Sequence, residues 1–235
     1  MAERRFVVEG PQAVREALAD LVELYAVDPA DPLARAAADA GVPVQPVSAA
    51  VLAAMAETVT PQGLHGVAPL RDVPLDALPA RPRLVAVLDA VADPGNAGTV
   101  LRTADAAGAD AVVLTAGSTD PHGGKAVRAS AGSLWHLPVV AGPPLDEALA
   151  ALRGRGLQVL ATSGSGEADL DDLADAGGLA APTAWLFGNE AHGLPPGALA
   201  AADVRVRVPL RGRAESLNLA AAAAVCLYAT SRAHR

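Results

Sequence analysis

The 235-residue chain has one cysteine, Cys226, and only two each of tryptophan, tyrosine and phenylalanine. A single cysteine excludes an intrachain disulfide and any cysteine-rich metal site. With so few rings, and 51% of residues apolar, the core has to be built from Ala, Val and Leu. No apolar run approaches the ~20 residues that cross a bilayer. The amino terminus, MAERRFVVEG, lacks the apolar centre of a signal peptide, so a cytoplasmic protein is expected. His65, His122, His136, His192 and His234 show neither HxxxH nor HxH spacing, and no metal site is expected. A positive excess is missing too. The net charge of −8 argues against indiscriminate attraction to nucleic acid. Yet residues 1–70 hold 4 Arg against 9 acids, whereas residues 204–235 hold 6 Arg against Glu215 alone. That local excess fits a phosphate-binding patch as well as a solvated tail.

What is present is an alternation of strand-like and helix-like segments. Residues 6–8 and 21–27 read as strands and residues 11–20 and 32–41 as helices, with Pro11 in a first turn and Gly41 at an end. VPVQPV followed by residues 48–57 repeats the pattern. These make an α/β module spanning 1–70. Pro74, Pro79 and Pro82 mark 71–82 as a linker. From 83 to 235, nearly continuous apolar strands are expected at 83–90, 111–115, 137–140, 157–163, 184–188 and 204–209. Strands of that kind belong to a parallel sheet covered on both faces, in a doubly wound α/β domain. Ligands in such domains bind beyond the carboxyl ends of strands.

Three polar clusters follow strands. In DPGNAGTVLRTADAAGAD (93–110), Asn96 is placed to cap a helix over 99–107. Arg102 stands there among Val100, Leu101 and Ala104, where burial without partners is costly. In FGNEAHGLP (187–195), glycines flank Asn189, Glu190 and His192 in a turn that lets backbone approach a ligand. In VPLRGRAESLNLAAAAAVCLY (208–228), Ser216 or Asn218 can begin a helix running to about 229. The small side chains of Ala220–Ala224 allow another backbone to come close. No Gly-Lys-Ser/Thr follows the second turn, and GSGEAD (164–169) fails the dinucleotide fingerprint.

In order, NAGTVLR (96–102), GNEAHGL (188–194) and PLRGRAESLN (209–218) resemble the motif set of the SpoU (TrmH-like) RNA ribose methyltransferases. KAVRASAGSLWHLPV (125–139) resembles the segment these enzymes carry between the first two motifs. The resemblance implies an α/β-knot domain with a mostly parallel sheet, whose last strand–helix segment threads a loop as a deep trefoil knot. It also implies S-adenosylmethionine as cofactor and a homodimer through the knotted regions. Matching positions imply cofactor contacts at Thr162, Leu186, Gly188, Val208, Leu217 and Leu219. They imply a catalytic set of Asn96, Arg102, Glu190, Ser216 and Asn218. Arg102 is then the residue for the ribose 2′-oxygen, as base or, since a guanidinium stays protonated, as electrostatic stabiliser. The N-terminal module is similar to the L30e-like substrate-binding domain found on part of the family, which favours 23S ribosomal RNA over tRNA. Because that module is acidic, Lys125, Arg128, Arg205, Arg207, Arg211 and Arg213 are the expected phosphate contacts. The alternatives are a tRNA ribose methyltransferase or a catalytically silent RNA-binding assembly protein of the same fold.

Overall fold

A computed structural model describes residues 4–235. The first sheet orders its strands β1-β4-β2-β3, with β1 at Arg5–Glu9, β2 at Glu23–Ala26, β3 at Val44–Pro46 and β4 at Leu64–Pro69. β4 runs antiparallel to both β1 and β2, while β2 and β3 are parallel. Helices α1 (Pro11–Ala17), α2 (Pro32–Asp39) and α3 (Ala49–Met55) fill the connections. Their starts follow local rules: Asp31 accepts from the Leu33 amide ahead of Pro32, and Ser48 accepts from the Val51 amide. β4 is the strand that sequence reasoning left out. Its Gly66 packs against Leu21: a Cβ there would lie 2.5 Å from Leu21 Cδ2, and that side chain would have to shift.

The second sheet has seven strands, all parallel, ordered β7-β6-β5-β10-β8-β11-β9. They are β5 (Leu84–Leu88), β6 (Ala111–Leu114), β7 (Val139–Ala141), β8 (Gln158–Thr162), β9 (Ala168–Asp169), β10 (Thr183–Phe187) and β11 (Val204–Arg207). Every residue of β5, β6 and β10 is buried, which is why these strands read as unbroken apolar runs. Alternate side chains supply two cores. Ala86, Leu88, Trp185 and Phe187 face one way, and Val85, Val87, Ala184 and Leu186 the other. Helix α4 (Pro94–Ala106) and helix α9 (Leu219–Ala233) cover the first face, and Trp185 Nε1 donates to Thr230 Oγ1 of α9 at 2.8 Å. Helix α6 (Leu145–Arg153) covers the second. Helices α5 (Gly124–Ser130), α7 (Leu170–Asp175) and α8 (Pro196–Ala201) complete the chain. Gly98 of α4 is a packing glycine: a Cβ would sit 2.7 Å from Ala129 Cβ and clash with the Ala126 carbonyl of α5.

The proline-rich segment 70–82 is no loose linker. The Val73 amide donates to the Val139 carbonyl at 2.8 Å, Asp72 bridges to edge strand β7, and Leu78 is buried. The two sheets also meet through side chains. Phe6 stacks on Trp135 with centroids 5.9 Å apart and meets His122 edge-on at 4.9 Å. Ion pairs Arg128–Glu9 and Arg71–Asp20 join the same surfaces.

Candidate functional site

The loops after β8, β10 and β11 enclose a cleft of about 370 Å³, at the carboxyl ends of the strands as expected for an open α/β sheet. The β10 loop is a tight turn. Asn189 Oδ1 accepts from the amides of Ala191 and His192 at 2.9 and 3.3 Å, and the Gly193 amide donates to the Asn189 carbonyl. Asn189 Nδ2 donates to the Ala90 carbonyl at 2.9 Å, which ties the turn to the end of β5, where Ala90 has φ 51. Gly188 is obligatory, since a Cβ would lie 2.5 Å from Gly193 C and Leu194 N. Only this geometry lets Glu190 turn back toward α4.

Glu190 Oε1 accepts from the Asp93 amide at 3.1 Å and from Asn96 Nδ2 at 3.0 Å, and Oε2 accepts from the Ala92 amide at 3.2 Å. Burial alone would raise its pKa. The bonds from Asn96 and the backbone amides outweigh burial and hold the carboxyl below its ordinary range. Asn96 Oδ1 in turn accepts from Asn218 Nδ2 at 3.0 Å, and Asn218 Oδ1 accepts from the Ala220 and Ala221 amides that open α9. A carboxylate at one end and helix amides at the other set the polarity, so both carboxamide orientations follow from the network.

This arrangement corrects two expectations and decides between the alternatives of a third. Asp93, not Asn96, caps α4: its Oδ1 accepts from the Gly95 amide at 2.6 Å and from Lys125 Nζ at 2.8 Å, which lower its pKa. With Pro94 at the first turn, the helix begins before residue 99 and Asn96 is free to reach across. Of the two candidates Ser216 and Asn218, it is Asn218 that caps α9, which runs past 229 to Ala233. Arg102 is not among the apolar side chains. Val100, Leu101 and Ala104 face the core, while Arg102 lies on the exposed stripe with Thr99 and Ala106 and has no hydrogen bond or ion pair among the described residues.

Thr162, Gly188, Val208, Leu217 and Leu219 line the cleft, together with Glu190 and Ser216. Leu186 does not: its side chain is fully buried, and its carbonyl accepts from Thr162 Oγ1 at 3.2 Å. Asn96 and Asn218 stand at the rim through Glu190. Sequence reasoning passed over Ser163 and Ser165 and read Ala222 only as part of a close-packing run; all three also line the cleft. The serines sit directly after β8, the signal that could have found them.

The expected phosphate contacts are mostly engaged elsewhere. Arg205 pairs with Glu167 at 2.8 Å, Arg207 with Asp169 at 3.3 Å and Arg211 with Asp171 at 2.8 Å, a ladder that staples β11 and its loop to β9 and α7. Lys125 pairs with Asp93 and Arg128 with Glu9. Arg213 is exposed and has no such partner among the described residues. No group of His, Cys, Asp and Glu able to hold a metal occurs among the described residues, and burial pushes the Cys226 thiol pKa up, so it stays a thiol.

Residues 83–228, which contain the cleft and all three motif loops, match the model of the SpoU rRNA methylase family. The chain belongs to the SpoU rRNA methylase family. Residues 1–66 match the MRM3-like substrate binding domain. This SpoU member is 36% identical over 230 residues to the 23S rRNA (guanosine(2553)-2'-O)-methyltransferase RlmP of Bacillus subtilis, an alignment covering 95% of this chain and 87% of that protein. Its fold is similar to that of an AdoMet-bound rRNA methyltransferase from Sinorhizobium meliloti, with TM-score 0.84, 33% identity and coverage of 97% and 87% of the two chains. It is also similar to the SpoU methyltransferase AviRb from Streptomyces viridochromogenes, with TM-score 0.85, 29% identity and coverage of 98% and 90%. The matched range thus includes the Glu190–Asn96–Asn218 chain and the cleft beside it.

Proposed function

We propose that the protein transfers a methyl group from S-adenosylmethionine to a ribose 2′-hydroxyl of RNA, with 23S ribosomal RNA as substrate. The observation that carries this reading is the hydrogen-bonded chain Glu190–Asn96–Asn218 at the rim of the cleft. The cleft has the size, within the usual ~300–1,000 Å³, and the mixed lining of Val208, Leu217 and Leu219 with Thr162 and Ser163 that an adenosine-bearing ligand needs. When bound, S-adenosylmethionine supplies an activated methyl group on a sulfonium. Thr162, Gly188, Val208, Leu217 and Leu219 would hold it, in a cleft whose lining also carries the Glu190 and Glu215 carboxylates, which suit a positive sulfonium.

The chain's own residues must orient a weak nucleophile and stabilise the charge that develops on it. Arg102 takes that charge. An exposed arginine without a protein partner is available to an RNA oxygen, and its guanidinium remains protonated, so it stabilises the 2′-oxygen rather than removing the proton. Glu190 is not the base either, since amides and Asn96 occupy its oxygens; it fixes the loop at the start of α4. Ser216 offers a hydroxyl to the acceptor, and the proton leaves to water or an RNA phosphate. Arg213 is the cation freest to meet a phosphate, and the ion-paired cations do so only by exchanging their carboxylates.

The active form we propose is a homodimer of knotted domains in the cytoplasm, dividing as 1–70, 71–82 and 83–235. Leu217, Val225 and Tyr228 are 39%, 43% and 52% exposed along one side of α9 and its entry loop, an apolar surface suited to a second copy. Arg102 lies outside the cleft of its own chain on the adjoining helix, so an interface there would bring it toward an acceptor. Labelled-methyl transfer into separated ribosomal and transfer RNA from a deletion strain tests the reading. Label is expected in 23S ribosomal RNA; label in tRNA alone moves the substrate, and calorimetric binding of NAD without S-adenosylmethionine overturns the function.

A further inference from the structure

A second cavity, of about 300 Å³, lies where the first sheet meets α5, lined by Thr58, Thr60, Gln62, His65 and the pair Glu9–Arg128. His65 is fully buried, yet neither ring nitrogen has a hydrogen-bond partner among the described residues. An unmet buried polar group is costly, so a ring in the wall of this cavity is short of a partner that a ligand can supply. The other buried histidine, His122, has no such vacancy: its Nε2 accepts from the Arg71 amide at 3.0 Å and its Nδ1 lies 3.3 Å from Asp120.

The polar groups left over in this cavity define the ligand. Glu9 and Arg128 neutralise each other, and Glu9 also accepts from the Glu57 amide at 2.6 Å. The Gln62 carboxamide and the Thr58 and Thr60 hydroxyls engage no protein partner among the described residues. Burial lowers the pKa of His65, with Glu9 opposing and Arg128 reinforcing, so its ring is neutral and offers one N–H and one lone pair. The unspent inventory is therefore neutral, with donors and acceptors side by side. A phosphate would find its cation already paired and a carboxylate beside it. The edge of a nucleobase presents the complementary pattern, and RNA recognition works on unstacked bases read at their edges.

Position adds a second argument. Arg128 at this cavity and Lys125, bonded to Asp93 at the start of α4, are three residues apart on α5, on one helical face. The Asp93 amide in turn donates to Glu190, which lines the cleft, so α5 lies between the cavity and the cleft loops. We infer that this cavity receives an unstacked nucleobase of the RNA strand, read by His65, Gln62 and Thr60, while a nearby ribose of the same strand occupies the methyl-transfer cleft. The inference rests on the RNA methyltransferase reading.

Ultraviolet cross-linking of the full chain to 23S ribosomal RNA transcribed in vitro, followed by mass spectrometry of nucleotide adducts, tests it without turnover. Adducts are expected between Thr58 and His65. Gln62→Phe, at an exposed position, fills the cavity mouth; it should remove those adducts and raise KM for that RNA at least tenfold, with the effect on KM rather than kcat. Three results overturn the inference: adducts only elsewhere or none at all, an unchanged KM in Gln62→Phe, or binding of free nucleoside monophosphates with no change in RNA affinity. Cavity adducts without methyl transfer would sink the proposed function while leaving the nucleobase site in place. Methyl transfer without cavity adducts would do the reverse.

Discussion

Asn218 Nδ2 donates to Asn96 Oδ1 at 3.0 Å, joining the cap of α9 to the first turn of α4 across 122 positions of the chain. Each carboxamide works at both ends. Asn96 donates to Glu190 and accepts from Asn218, and Asn218 donates to Asn96 and accepts from helix amides. The bond couples the position of the loop before Asn218, which lines the cleft, to that of the helix bearing Arg102.

Asn96→Asp replaces the donor facing Glu190 with a second carboxylate. Repulsion and a lost hydrogen bond should cost about 1–3 kcal/mol of stability and, by displacing the loop, on the order of 100-fold in methyl transfer. Urea denaturation and single-turnover assays read the two effects. Activity near that of the wild type would remove the network from the mechanism.

Arg102→Ala should abolish methyl transfer while leaving S-adenosylmethionine affinity within about tenfold, because the arginine lies outside the cleft and is proposed to serve the acceptor oxygen. Stability should change by no more than about 0.5 kcal/mol, as for an exposed side chain without contacts. Retained turnover would assign charge stabilisation to another residue.

Ala222→Leu tests the alanine run. Ala220 and Ala223 are buried and Ala222 lines the cleft, so the added carbons project into cofactor space. We expect at least a tenfold loss of S-adenosylmethionine affinity by calorimetry, about 1.4 kcal/mol. Unchanged affinity and melting temperature would make the run ordinary helix.

His136 reports on the contact between the sheets through pH. Its Nδ1 lies 2.7 Å from Asp105 of α4 and its Nε2 3.3 Å from Glu16 of α1. The hydrogen bond with Asp105, then that with Glu16, raises its pKa above the ordinary 6.5 against a smaller effect of burial. A raised folded pKa means that the stabilisation is complete below the unfolded value and disappears as pH rises through the folded one. Wild type should therefore exceed His136→Gln in urea midpoint at about pH 5.5, with the gap closing by about pH 9. A gap independent of pH would mean that packing, not charge, accounts for it.

The strands of the second sheet were legible because burial on both faces forces uninterrupted apolar runs. β4 was not, since Gly66, packed against Leu21, and Pro69, at the strand's end, interrupt its pattern. β9 was not either, since two residues carry no period. Among the site residues, Gly188 and Glu190 stood out in a strand-ending turn. The arginines at 205, 207 and 211 were visible as positive charge, but their carboxylates come from residues 167–171, beside them only after β9 pairs with β11.

The sequence by itself determined the alternation of elements, the family and the chemical identity of Asn96, Arg102, Glu190, Ser216 and Asn218, because these depend on residue type and short spacing. Only the tertiary structure decided that Asp93 caps α4, that Arg102 is exposed and that Glu190, Asn96 and Asn218 form one hydrogen-bonded line. Their separations of 94 and 122 residues are closed by the parallel sheet, which brings the ends of β5, β10 and β11 together, and no local pattern encodes which side chains then meet.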